Sequence, residues 1–238
     1  MKSNVVSAAI FAAGLVSMPA TAALAEDQGF YLRVDAGGAM SRNPGGNIYA
    51  GTGFGHDFGN TVAIGGGFGY VRELSPMFDL RADLTVTGYP NYVSTASANF
   101  GAGGSASTLS AKLGLDSAVG LASVYLDWKT QSMVTPYIGF GAGVAGINLH
   151  PIIYSINSSF SGTENGSTVS NFAYSAIAGV ALHVAPAWAI DIAYHYVNAG
   201  DVRSSGIVTG PLGTTVSLPA LKGTLESHAF SVGFRLAI

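Results

Sequence analysis

The chain has no cysteine. Disulfide scaffolds and thiolate metal centres are therefore closed to it, and a chain that passes through an oxidising compartment in this state needs no disulfide framework. Charge is also scarce. Ten Lys and Arg against thirteen Asp and Glu leave a net −3, and no basic cluster is available to neutralise phosphates, which excludes nucleic acid as a partner. Beyond residue 25 there is no apolar run of the roughly 20 residues that a membrane helix needs, although 48% of the residues are hydrophobic. The hydrophobicity is instead spread by alternation, which is a strand pattern. Glycine is plentiful, 33 of 238, about twice the usual ~7% share. That serves helices poorly and suits strands that bend or must clear large side chains.

The first 25 residues read as an export signal. Lys2 provides a short positive region, Val5 to Val16 an apolar core, and Ala23, Leu24 and Ala25 a small-residue cleavage site before Glu26 and Asp27. The expected division is a cleaved signal peptide at 1–25 and one domain at 26–238.

Within that domain, glycine, proline and polar clusters separate eight alternating segments: Gly29 to Ala39, Thr61 to Arg72, Met77 to Gly88, Asp116 to Trp128, Val134 to Gly146, Asn171 to Val184, Trp188 to Val197 and Leu225 to Ile238. Three connections are tight: Glu73 to Pro76, Lys129 to Met133, and Ala185 to Ala187. The other four, Met40 to Asn60, Tyr89 to Leu115, Ile147 to Ser170 and Asn198 to Thr224, are long and rich in Gly, Ser, Thr and Asn. Alternating short turns and long loops, with an even strand number, predict an all-β fold: an eight-stranded antiparallel up-and-down transmembrane β-barrel with both termini at the periplasmic end and four long extracellular loops.

The faces can be read from parity. Phe30, Leu32, Val34 and Ala36 lie on one side of the first segment, with Tyr31, Arg33 and Asp35 on the other. Phe78, Leu80, Ala82 and Leu84 oppose Asp79, Arg81, Asp83 and Thr85. Trp188, Ile190 and Ile192 oppose Asp191 and His195, and the terminal segment sets Phe230, Val232, Phe234, Leu236 and Ile238 against Arg235. A period of two puts every one of these charges opposite the apolar set. In the fifth segment Pro136, Ile138, Phe140, Ala142 and Val144 would face lipid, with Tyr137, Gly139, Gly141 and Gly143 inside. Those glycines serve either as clearance for Tyr and Arg or as points of barrel curvature.

Five stretches carry a family resemblance: GFYLRVDAGG from Gly29, SVYLDW from Ser123, TPYIGFGAGVAG from Thr135, PAWAIDIAYHYVNAGDV from Pro186, and the terminal SVGFRLAI. In order and spacing they resemble small outer-membrane β-barrels of the opacity/OmpA-like superfamily, particularly the porin-family surface antigens of α-proteobacteria. The resemblance implies residence in the bacterial outer membrane among lipid and lipopolysaccharide, and delivery by the β-barrel assembly machinery. Ser231, Gly233, Leu236 and Ile238 match the C-terminal assembly signal, with Ile238 where many relatives have phenylalanine.

An eight-stranded interior is just wide enough for side chains to fill it. Arg33, Arg81 and Arg235 are therefore expected to pair there with Asp35, Asp79, Asp83, Asp127 and Asp191, because unpaired buried charge is costly. His195 joins this polar interior. The run from His195 to Asn198 resembles a deacylase His-x-Ser-Asn motif, but Val197 stands where the nucleophilic serine belongs, so no enzyme is expected. His56, His150, His183 and His228 lack metal-ligand spacing, and no cofactor is expected. The tripeptides from Asn157 and Asn165 match a glycosylation pattern by chance. The long connections carry Ile48, Tyr49, Phe54, Tyr89, Tyr92, Phe100, Ile152, Ile153, Tyr154 and Phe160, either as candidate contacts for a host or cell-surface ligand or as side chains packed on each other above the barrel. The expected role is a monomeric structural and surface-interaction barrel of adhesin or antigen type. The alternatives are a narrow porin for small solutes and a haem- or ligand-binding surface receptor.

Overall fold

A computed structural model describes residues 28–42, 58–100, 107–130, 132–157, 160–217, 220 and 222–238. The signal-peptide expectation, together with Ile48, Tyr49, Phe54 and His56, lies outside the described residues.

The strands are β1 (Gly29–Arg42), β2 (Asn60–Ser75), β3 (Phe78–Phe100), β4 (Ser107–Trp128), β5 (Val134–Leu149), β6 (Ile152–Ile156), β7 (Phe160–Glu164), β8 (Ser167–Ala185), β9 (Trp188–Arg203), β10 (Ile207–Thr209), β11 (Thr215–Ser217) and β12 (Lys222–Ala237). Eight of them close a ring in the order β1-β2-β3-β4-β5-β8-β9-β12, sealed between β1 and β12 by an antiparallel register from Tyr31↔Ala237 to Arg42↔Glu226. All eight coincide with the segments read from alternation. Both described ends meet at the short-turn rim, where the Ile238 N–H donates to the Phe30 carbonyl at 2.9 Å.

Three of the long connections depart from expectation. They are not plain loops: β3 runs 23 residues and β4 runs 22, well past the barrel, and β6, β7, β10 and β11 add to them in the order β4-β6-β7-β10-β11. The result is a six-stranded extracellular sheet. Its presence was hidden by phase slips in the alternation. At Asn91, in left-handed backbone (φ 57°), β3 bulges so that Tyr89 faces Ser117 but Tyr92 faces Leu115. The extra residue sends both tyrosines inward. A second slip occurs at Gly200 (φ 81°), where β9 carries one residue more than β12 between Asn198↔Glu226 and Asp201↔Thr224.

The outer wall is apolar where lipid would sit: Phe30, Val34, Phe68, Leu84, Val124, Ile192 and Phe234 are all exposed. Along β4 this band runs from Ala118 to Trp128, the nine to eleven tilted residues that cross a hydrocarbon layer. Trp128 and Trp188 stand at the short-turn rim. At the opposite rim Tyr174, Tyr196, His228 and Tyr194 follow one another with ring centroids 5.5–6.3 Å apart.

Inside, the barrel has two halves of different chemistry. The periplasmic half is charged. The extracellular half is an apolar core including Ala39, Phe58, Tyr92, Leu113, Leu115, Ile147, Leu149, Ile152, Val202 and Leu225. Charged side chains thus line one half only, and the other half is filled by apolar ones. Of the two roles open to the aromatic and aliphatic residues of the long connections, Tyr89, Tyr92, Ile152 and Tyr154 take the packed one and are buried in this core, whereas Ile153 is exposed. This burial follows from the phase slip and from strand pairing, which turns alternate residues of these connections inward.

Candidate functional site

The charged half of the lumen is built by neighbouring strands that each contribute inward residues at a common depth. Arg81 on β3 is fully buried and takes Asp127 of β4 in a two-point grip, with Nε to Oδ2 at 2.9 Å and Nη2 to Oδ1 at 3.0 Å. Its guanidinium lies 4.1 Å from the Tyr125 ring centroid and 4.6 Å from that of Tyr137, and those rings meet edge to face. Planar, delocalised arginine suits both contacts in a way lysine does not.

Asp83 belongs to a different partner. It accepts from Arg33 Nη1 at 3.1 Å, from the Tyr31 hydroxyl at 3.1 Å and from the Tyr125 hydroxyl at 3.2 Å. Arg33 Nε also reaches Asp35 at 3.4 Å. Arg235 completes the cluster on Asp191, Nε to Oδ2 at 3.3 Å, with a longer 3.8 Å approach to Asp127. Asp79 sits at the periplasmic mouth, where Lys129 Nζ approaches it at 3.3 Å and Glu73 at 3.7 Å. His195 stands apart, above the arginines, with Nε2 3.1 Å from the Ser231 hydroxyl. The nine residues singled out from sequence all face the lumen, but Asp79 and His195 mark the edges of its charged half and the other seven form the knot between them.

Sequence reasoning missed the part played by tyrosine. Tyr31, Tyr125 and Tyr137 wall the arginines, and each lies over a glycine directly opposite on the next strand: Tyr31↔Gly69, Tyr125↔Gly139 and Tyr137↔Gly179. A Cβ built on those glycines would come within 2.5, 2.3 and 2.7 Å of the facing ring. Both roles considered for the inward glycines are present: Gly139 gives clearance, whereas a Cβ at Gly143 would meet the backbone carbonyl of Gly120 at 2.0 Å and so marks close strand approach. The cross-strand Tyr/Gly pairing was the available signal, readable only with the register in hand.

Between the charged knot and the apolar core lies a cavity of about 20 Å³, lined by Arg33, Asp35, Ser123, His195 and Val197 among others. That is room for about one water. The buried Ser123 hydroxyl lines this space and could bond such a guest.

Of the remaining histidines, His150 holds Asp116 at 2.9 Å where β4 leaves β5, and Asp116 also accepts the Asn91 N–H at 2.8 Å. His228 Nδ1 meets the Tyr194 hydroxyl at 2.6 Å on the outer wall. Asn157, read as a chance tripeptide, accepts the Thr108 N–H at 2.8 Å and donates to Ser107 at 3.1 Å, tying down the start of β4. Among the described residues no group of three or more His, Cys, Asp or Glu could hold a metal ion.

Residues 78–217 match the family described as Opacity family porin protein. The chain belongs to this family. A curated relative, outer membrane protein PagN of Salmonella typhimurium, is 35% identical over 85 residues. That stretch is 34% of this chain and 34% of PagN, so the match spans about a third of the relative's length. Among solved structures, OprG from Pseudomonas aeruginosa superposes with a TM-score of 0.50 at 13% identity, covering 90% of this chain and 99% of OprG. The outer membrane protease OmpT from Escherichia coli gives a TM-score of 0.50 at 8% identity, covering 88% and 97%. At such identities the likeness is one of fold. The protein is an outer-membrane β-barrel of Gram-negative type.

Proposed function

We propose that the protein is a closed, non-conducting and non-catalytic surface barrel whose role is carried by its extracellular sheet, as an adhesin or antigen presenting a contact face to another cell or a host matrix. The observation that carries this reading is the double obstruction of the lumen. Ions entering from the periplasm meet Arg33, Arg81 and Arg235 already bound to aspartates. Solutes entering from outside meet a core in which Tyr92, Ile147 and Ile152 are fully buried. Either path requires breaking packed or paired groups, at several kcal/mol each. The contact surface is the outer face of the sheet, where Val93, Ile153 and Ile207 are exposed among serine and threonine.

In this reading the charged knot is structural, fixing strand register, and Ser231, Gly233, Leu236 and Ile238 serve as the signal for the β-barrel assembly machinery. The protein acts as a monomer with lipid and lipopolysaccharide around it. The family description favours a second reading, a narrow porin. Planar-bilayer recording separates the two: the refolded protein is expected to give no reproducible single-channel steps, and steady unit conductances would replace the closed-barrel reading with the porin one.

A further inference from the structure

The lipid-facing wall is not uniform. Across β2 to β5 the register sets Tyr70, Ala82, Val124 and Phe140 side by side, with Phe68, Leu84, Ala122 and Ala142 in the next row. Ala82, Ala122 and Ala142 make a low floor, and Phe68, Tyr70 and Phe140 rise around it as walls, enclosing an apolar groove of about 380 Å³. That lies within the roughly 300–1,000 Å³ of small-molecule sites. Phe30 braces Tyr70 edge-on at 5.0 Å. Two residues beyond Tyr70 on the same face, about 7 Å further along the strand, Arg72 is exposed toward the short-turn rim and takes no part in the ion pairs among the described residues.

We propose that this groove is a specific site for one phospholipid of the periplasmic leaflet, with an acyl chain lying over the three alanines and the phosphate on Arg72. The occupant follows from position and charge. The wall faces hydrocarbon, so whatever fills the groove is apolar and chain-like. The short turns mark the periplasmic side, where the leaflet carries phosphate-bearing headgroups, and an arginine at the rim extends toward them. The site is independent of whether the barrel conducts or adheres, since it lies outside the lumen and below the extracellular sheet.

Native mass spectrometry of the full chain, refolded in a sugar-headed detergent and titrated with phosphatidylglycerol or with uncharged monoolein, tests the proposal. The parent is expected to retain one phosphatidylglycerol. Filling the floor with Ala122→Leu and Ala142→Leu, changes that a lipid-facing wall tolerates, is expected to abolish retention while the barrel still resists unboiled SDS. Arg72→Gln is expected to weaken phosphatidylglycerol about tenfold, the scale of one lost charge-assisted contact, and to leave monoolein unchanged. Retention of lipid by the filled variant in the parent's proportion would overturn the site. Equal loss of both lipids in Arg72→Gln would overturn the phosphate assignment. A parent that holds no lipid but forms a dimer broken by the filled variant would give the groove to a second copy of the chain.

Discussion

Replacing Arg81 by methionine isolates the central pair of the charged lumen. The side chain it removes is fully buried, grips Asp127 at 2.9 and 3.0 Å, and lies against Tyr125 and Tyr137. The Asp127 carboxylate would keep only the 3.8 Å approach of Arg235, which is already engaged by Asp191. Stranding one partner of a buried pair costs about 3 to 5 kcal/mol, and the lost ring contacts fall within that figure because they share the same cation. Removing both charges, Arg81→Met with Asp127→Leu, is expected to recover most of the loss, since a well-packed apolar pair replaces a buried ion pair at little or no cost. Asp83→Asn in the Arg81→Met background is expected to recover nothing, because Asp83 is held by Arg33, Tyr31 and Tyr125. Urea titration in phosphatidylcholine vesicles, followed by Trp128 and Trp188 fluorescence and by gel mobility without boiling, measures each difference at constant denaturant slope. A cost below about 1 kcal/mol, the scale of an exposed pair, or rescue by Asp83→Asn in place of Asp127→Leu, would refute the pairing.

Three further outcomes are expected from the same titration. Ile192→Arg puts a charge on an exposed position of the apolar band and should destabilise by about 2 to 4 kcal/mol if the site lies near the bilayer midplane; an unchanged midpoint would contradict the facing. Gly139→Val drives a side chain into the Tyr125 ring, where a Cβ already comes within 2.3 Å, and should cost about 1 to 3 kcal/mol, whereas Gly146→Ala, with open space around it, should be close to neutral. Ile147→Ala opens the extracellular core at a fully buried position and should cost about 2 to 5 kcal/mol, an effect absent if that half of the lumen were a water-filled pore.

The barrel was legible because lipid outside and charge inside give the strongest contrast a period of two can carry. Phe78, Leu80 and Leu84 against Asp79, Arg81 and Asp83 fix the facing of β3 without any partner strand. Who pairs with whom was not legible. Arg81 and Asp83 are neighbours along one face, yet each turns to a residue on another strand, because the barrel's register and stagger decide which side chains converge. The extracellular sheet escaped for a different reason. At Asn91 and at Gly200 the alternation changes phase; beyond Asn91 the residues 94–99 are Ser, Thr, Ala and Asn, whose polarity differs too little to reveal a face, and beyond Gly200 only Asp201, Val202 and Arg203 remain in the strand.

The two chemistries of the lumen follow from the solvent on the other side of the wall. On β4 the residues 119, 121, 123, 125 and 127 point inward, and so do 111, 113 and 115; parity never changes. Polarity does. Near the periplasm the outward set is Val124, Leu126 and Trp128 and the inward set Ser123, Tyr125 and Asp127, whereas beyond the membrane the outward set is Ser110, Lys112 and Asp116 and the inward set Ala111, Leu113 and Leu115. Where lipid surrounds the strand, burying apolar groups inside gains nothing over leaving them in hydrocarbon, so hydrogen bonds and ion pairs must organise the interior. Where water surrounds it, the hydrophobic effect returns and the interior becomes a conventional core. The reversal between Leu115 and Ser123 therefore marks the depth at which the chain leaves the bilayer. It also explains how strands that are barrel wall below continue above as a sheet with its own core, stiff enough to hold a contact surface clear of the membrane.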